Sequence, residues 1–196
     1  MKVYIYCTKG KPYLHYRPCD NCTSPYVLWD EKSKEHECLN GKIVAEFELN
    51  EVDKIETELY KENLAYQDIR LMREDETCEF DILASNDTSR DFNDFDFMKN
   101  ICISKDELCD YVGEGFQKCY AWHIHKLNIF DNPKVLPEWN VLMIRIKKSP
   151  QSWCYARDQN DELCIIISIN PEHVCKILNG EKTIEVRKTK PKEMEE

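Results

Sequence analysis

The chain has 196 residues, of which 42% are hydrophobic and 33% charged, and a formal net charge of −10 at pH 7. This composition describes a globular protein rather than a disordered one, and the length allows one domain with a good core or two very small ones. No apolar run approaches the roughly 20 residues that cross a bilayer, and the acidic balance argues against general affinity for nucleic acid.

The charge is unevenly spread. Residues 46–115 hold 21 acidic and 7 basic residues, whereas residues 1–18 hold four basic residues and no acidic ones. Residues 176–192 hold six basic and two acidic residues, so the two ends, if they meet, make a local patch of +8 on an acidic body. Such a patch focuses a phosphate-bearing ligand despite the overall charge; the alternative is a solvated surface strand with a loose tail. The N-terminal run alternates like a strand and lacks the features of a signal peptide, which predicts a cytoplasmic protein with no membrane partner. The eleven cysteines are odd in number. Cys7, Cys102, Cys154, Cys164 and Cys175 sit singly in apolar segments, where a reduced thiol acts as a small buried hydrophobe. The thiols are read as free.

In chain order, "VYIYCT" (3–8) reads as a strand and residues 10–41, rich in Pro, Asn and charge, as an excursion or loose hairpin. "KIVAEFELNEVDKI" (42–55) alternates as one half-buried strand. Residues 56–100 form a second excursion, with a weak helix signal at 57–66 and a loop at 85–96. A helix is predicted over 104–113, with Ser104 as N-cap, Glu107 closing a capping box and Gly113 as the stop. "KCYAWHIHKLNIF" (118–130) reads as an aromatic strand and 132–139 as a turn away from it. Further strands are expected at 141–148, 150–157 and 163–169, the last two joined by the turn "DQND". Residues 170–180 read as a helix with Pro171 in the first turn and Gly180 as C-cap, followed by the strand "KTIEVRK". Short strands, two or three short helices and long excursions predict an α+β class protein, a small mixed β-barrel. The sequence shows no internal repeat, doubly wound pattern or Gly-rich phosphate loop.

In "GEKTIEVRK" the period of two puts Lys182, Ile184 and Val186 on one face, and Thr183, Glu185 and Arg187 on the other. Glu185 and Arg187 are then neighbours, able to pair as an ordinary surface ion pair or to present an acceptor and a donor together. The spacing Gly180, Lys182, Glu185, Arg187 matches the G-x-K-x-x-E-x-R motif of the ASCH domain family, a branch of the PUA-like barrels, which the chain resembles. Segments "SINPEHVCKILNGEKTIEVRKTKPK", "VYIYCTKGK", "LNGKIVAEFELNEVDKI", "CYAWHIHKLNIFDNPKVLPEW" and "PQSWCYA" are similar to parts of phage and bacterial ASCH proteins. In those proteins the motif segment usually opens the chain and leads into "VYIYCT". Here it closes the chain at residues 163–192, so residues 1–196 resemble one circularly permuted ASCH domain. A monomer or a domain-swapped dimer is compatible with that order.

The resemblance implies a PUA-like barrel with a cleft beside the motif strand, used for RNA, a nucleotide or a modified base. Trp122, Trp153 and Tyr155 are candidate stacking surfaces, with core packing as the alternative. Lys9, Lys182, Arg187 and Lys188 are candidate phosphate contacts, and Glu185 a candidate acceptor for a base amino group. His123 and His125, two apart on a strand, face one side, which suits one ring in the cleft and ordinary packing. Three alternatives stand beside simple binding. One is an acetylcytidine amidohydrolase-like enzyme, for which Lys182 and Glu185 are the catalytic candidates; Glu185 stands where those enzymes carry Thr. A second is the metal-dependent ribonuclease activity linked to another branch, for which no carboxylate cluster is evident. The third is a phage protein that sequesters a nucleotide signal of host defence. Cys19-x-x-Cys22 with His36 and Cys38 has residue types compatible with structural zinc. The spacing is irregular and nothing in the resemblance calls for a metal, so neither metal nor cofactor is expected.

Overall fold

The structure, a computed structural model, describes residues 1–18, 23–59, 68–72, 80–81, 94–113, 115–136, 149–158 and 160–192. In chain order the strands and helices are β1 (Lys2–Cys7), β2 (Tyr13–Tyr16), β3 (Tyr26–Trp29), β4 (Glu37–Cys38), β5 (Lys42–Glu48), β6 (Val52–Leu59), β7 (Asp68–Met72) and β8 (Phe80–Asp81). There follow α1 (Asp94–Ile101), α2 (Lys105–Val112), β9 (Gly115–His123), β10 (His125–Val135), β11 (Trp153–Arg157), β12 (Leu163–Ile169), α3 (Pro171–Leu178) and β13 (Ile184–Arg187). The class is mixed α+β, mostly strands in three sheets with a few short helices. Among the described residues no helix is long and apolar enough to cross a membrane. Two compact units are formed, Met1–Asn50 with Ile124–Lys182 and Glu51–His123 with Thr183–Glu196.

The first unit contains a five-stranded sheet in the order β10-β5-β1-β12-β11 and a three-stranded sheet in the order β3-β2-β4. β1 runs parallel to β12, from Lys2 opposite Cys164 to Cys7 opposite Ile169. Both strands are interior and almost wholly buried, as continuous apolar runs covered on both faces should be. Tyr4, Tyr6, Cys164 and Ile166 pack with Ile43 and Leu136 on one side of the sheet. α3 packs against β1, β2 and β3 through a buried stripe of Val174, Cys175, Ile177 and Leu178. β11 and β12 form the expected antiparallel hairpin. Its turn is stapled by Asp158, whose Oδ1 accepts the backbone N–H groups of Asn160 at 2.9 Å and Glu162 at 3.0 Å.

The second unit is built on the sheet β13-β9-β6-β7-β8. One face of it packs on α1 and α2 around Ile55, Phe97, Ile101, Leu108, Cys119, Ala121, Ile184 and Val186. The Ser104 hydroxyl accepts the Glu107 N–H at 3.2 Å and the Glu107 carboxylate accepts the Ser104 N–H at 2.7 Å, completing the capping box read in the sequence.

Several expectations are corrected. Residues 42–55 are not one strand: β5 ends at Glu48 and β6 begins at Val52. The backbone of Leu49 is engaged by Met1 in both directions, at 2.7 and 3.0 Å, which closes the first sheet before the chain enters the second unit. The helix signal from residue 57 gives way to strand through Leu59, because Glu56–Leu59 pair with Lys118–Gly115 on β9 and tertiary pairing overrides weak propensity. The rest of that signal, the 85–93 part of the expected loop and the strand at 141–148 lie outside the described residues; residues 94–96 open α1. Residues 118–130 are interrupted at Ile124, and the chain continues as strand through Pro133 to Val135 instead of turning away. Pro133 is tolerated because β10 is an edge strand whose register shifts between Ile129 and Lys134. The excursion at 10–41 carries the three-stranded sheet, a hairpin plus the short β4. The C-cap of α3 is Asn179, and Gly180 is the residue after it, with φ of +76°. Gly180 N–H bonds the Ile177 carbonyl at 3.0 Å and Glu181 N–H the Lys176 carbonyl at 2.8 Å, the paired bonds of a Schellman ending.

Candidate functional site

β13 follows that ending and pairs antiparallel with β9: Ile184 opposite His123, Glu185 opposite Trp122, Val186 opposite Ala121 and Arg187 opposite Tyr120. Directly opposed residues share a face. Ile184 and Val186 therefore enter the apolar core with Ala121, while Glu185, Arg187 and Trp122 lie on the other face. That face is also covered, for Trp122 is 0%, Glu185 7% and Arg187 8% exposed. Arg187 Nη2 lies 2.9 Å from Glu185 Oε1. The pair read as an ordinary surface contact is thus buried, and each partner holds the other's charge in place where solvent does not.

Two neighbours extend this strand. Lys188 Nζ stands 5.3 Å from the centre of the Tyr111 ring. Burial pushes the Tyr111 phenol up, Arg187 pulls it back, and the phenol hydrogen-bonds the Lys188 backbone. Tyr111, at the end of α2, was missed in the sequence because its helix points to capping rather than to a site. Past Lys188 the chain carries Lys190, half-buried, and Lys192, exposed.

His123 lies at the end of β9 on the core side. Its Nε2 is 2.8 Å from Asp53 Oδ2 and 3.8 Å from Glu51 Oε1, and Asp53 is 3% exposed. A carboxylate-held imidazole is the arrangement that orients a proton-transfer group. Asp53 was also missed. Its signal was present: in "EVDKI" the period of two places Asp53 on the same face as core residue Ile55.

The remaining candidates fall elsewhere. Lys9, Lys182, Trp153 and Tyr155 belong to the first unit, and Trp122, His123, Glu185, Arg187 and Lys188 to the second. Within the second unit the structure brings Trp122, Glu185, Arg187 and Lys188 to one strand pair. Within the first, Trp153 and Tyr155 form a half-buried edge-to-face pair with ring centres 5.3 Å apart. Lys182 is 3% exposed, its backbone N–H bonded to the Lys176 carbonyl at 3.1 Å, and Lys9 is exposed. His125 begins β10 opposite Glu48, on a separate strand from His123. Cys19 and Cys22 lie outside the described residues. His36 packs edge-on to Trp29 at 5.1 Å, and Cys38 lies opposite His15 with its thiol 3.8 Å from Asn40 Oδ1. Comparison of the chain with protein-family models, curated proteins and solved structures returned no match.

Proposed function

We propose that the protein binds RNA or a small nucleotide through β13 and the basic segment that follows it, as an ASCH-type domain of PUA-like barrel fold with its motif segment moved to the C-terminus. The observation that carries this reading is the Glu185–Arg187 pair, buried beside Trp122 at 2.9 Å. Well-packed apolar residues would serve stability at least as well as a buried ion pair. A guanidinium held by a carboxylate is also a preorganised fork for phosphate or a base edge. Lys188, Lys190 and Lys192 add positive charge next to it on an otherwise acidic chain. The parallel pairing of β12 with β1 supports the permuted order, because it joins the C-terminal segment to the strand that follows it in ASCH proteins.

Native mass spectrometry of the protein against ribonucleotides and short single-stranded RNA tests the reading. A stoichiometric nucleotide or RNA adduct supports it; a spectrum of unliganded protein throughout rejects it. A second reading, a hydrolase acting on a modified nucleoside such as acetylcytidine, is favoured by the His123–Asp53 pair at 2.8 Å. Turnover of acetylcytidine that disappears in His123→Ala supports that reading, and absence of turnover removes it.

A further inference from the structure

Tyr16 and Tyr26 stand opposite each other on β2 and β3, with ring centres 5.4 Å apart and planes tilted by 42°. With Phe130 they line a cleft of about 190 Å³ in the first unit, floored by residues including Leu178 and walled by Glu37 and Asp131. Tyr26 is fixed from behind by the end of α3. Its N–H donates to Asn179 Oδ1 at 3.4 Å, and its carbonyl accepts from Asn179 Nδ2 at 3.0 Å and from the Cys175 thiol at 3.2 Å. An aromatic wall held this way is preorganised, so a ligand does not have to order it.

The electrostatics narrow the ligand. Burial raises the Tyr26 phenol, and Tyr16, Asp131 and Glu37 raise it further, so both carboxylates act on the ring. Lys42 neutralises Glu37 at 2.7 Å. Asp131 is exposed and has no ion pair among the described residues. A phosphate is repelled from such a cleft. A primary ammonium is strongly hydrated and must exchange its water for several acceptors, whereas one carboxylate is open to it here. A quaternary ammonium carries no N–H groups and is held by aromatic faces and a nearby anion.

We propose that this cleft binds a trimethylammonium-type organic cation, with Tyr16, Tyr26 and Phe130 meeting its methyl groups and Asp131 supplying the counter-charge. The site is independent of the nucleotide-binding reading: it uses neither β13 nor the basic segment.

The test is an NMR titration of the full chain with choline chloride and, separately, with a short peptide carrying trimethyllysine. Butylammonium chloride serves as the primary-amine control. Tyr16→Leu and Asp131→Asn are the variants, since both side chains are exposed and their loss spares the core. Saturable shifts at Tyr16 and Tyr26, weakened about tenfold in either variant, support the proposal. Tighter binding of choline then assigns the site to a free cation, and tighter binding of the peptide assigns it to a modified side chain. Absence of saturable binding in both arms overturns the proposal, as does unchanged affinity in both variants or butylammonium binding as tightly as choline.

Discussion

Glu185 and Arg187 lie two residues apart on β13 with 2.9 Å between carboxylate and guanidinium, both buried and both on the face opposite the apolar core. Removing one partner leaves the other's charge buried without compensation. Arg187→Ala is expected to cost about 3–5 kcal/mol of stability, and the double variant Glu185→Gln/Arg187→Met to recover most of it. Urea unfolding of the three proteins measures this. A loss under about 1 kcal/mol in Arg187→Ala, the range of exposed pairs, would show that the pair is solvated after all.

Gly180 provides a second prediction. Its φ of +76° is unfavourable for a side chain, yet an added Cβ meets nothing within 4 Å. The cost of Gly180→Ala is then conformational rather than steric, about 1 kcal/mol, and Gly180→Asn costs less because Asn tolerates that region. Thermal unfolding of both variants checks the order; equal losses would point to a steric cause.

At α2 the reciprocal Ser104–Glu107 bonds predict that Ser104→Ala lowers stability by about 1 kcal/mol. Ser104→Asp should retain most of it, since a carboxylate accepts the same N–H and suits the positive end of the helix. An alanine variant as stable as the parent in chemical denaturation would contradict the cap.

The buried thiols predict a pH dependence. Burial pushes Cys119 and Cys164 up to about 12 and Cys175 up to about 11. A thiol whose pKa is raised by folding stabilises the protein fully below its unfolded value, about 8.5. That contribution is lost as pH climbs from there through the folded values. Stability is therefore expected to fall between about pH 8.5 and pH 12, and the melting temperature followed across that range checks the sign. At pH 8 a thiol reagent should modify Cys38 and Cys102, both half-buried, before Cys7, Cys119, Cys164 and Cys175. Early labelling of Cys119 would place it outside the core.

Where the sequence carried local chemistry, it was legible. The α2 cap, the β11–β12 hairpin and the glycine after α3 each rest on one or two residues whose geometry is nearly obligatory. The pairing of Glu185 with Arg187 followed from the period of two. Their burial did not, because period alone distinguishes the faces of a strand without saying whether the polar face is covered. The split at Leu49 was invisible for a related reason: the alternation of 42–55 persists across it, and only the bonds to Met1 end the strand. Trp122 could be assigned to a ligand or to the core from its type alone, and it is fully buried. Tyr16 and Tyr26 lay within an excursion read for its prolines and charges. Their opposition across a hairpin depends on register, which composition does not encode.

The most direct test of the nucleotide-binding reading is fluorescence anisotropy of a labelled single-stranded RNA across a salt series, with Arg187→Lys and Lys188→Ala/Lys192→Ala beside the parent. Arg187→Lys keeps the charge opposite Glu185 but loses the fork, so affinity should fall about tenfold or more while the salt slope is kept. The double lysine variant should bind more weakly and with a shallower salt slope, by about one contact per phosphate lost. Parent-like affinity and slope in both variants, with the parent binding, would contradict a site at β13.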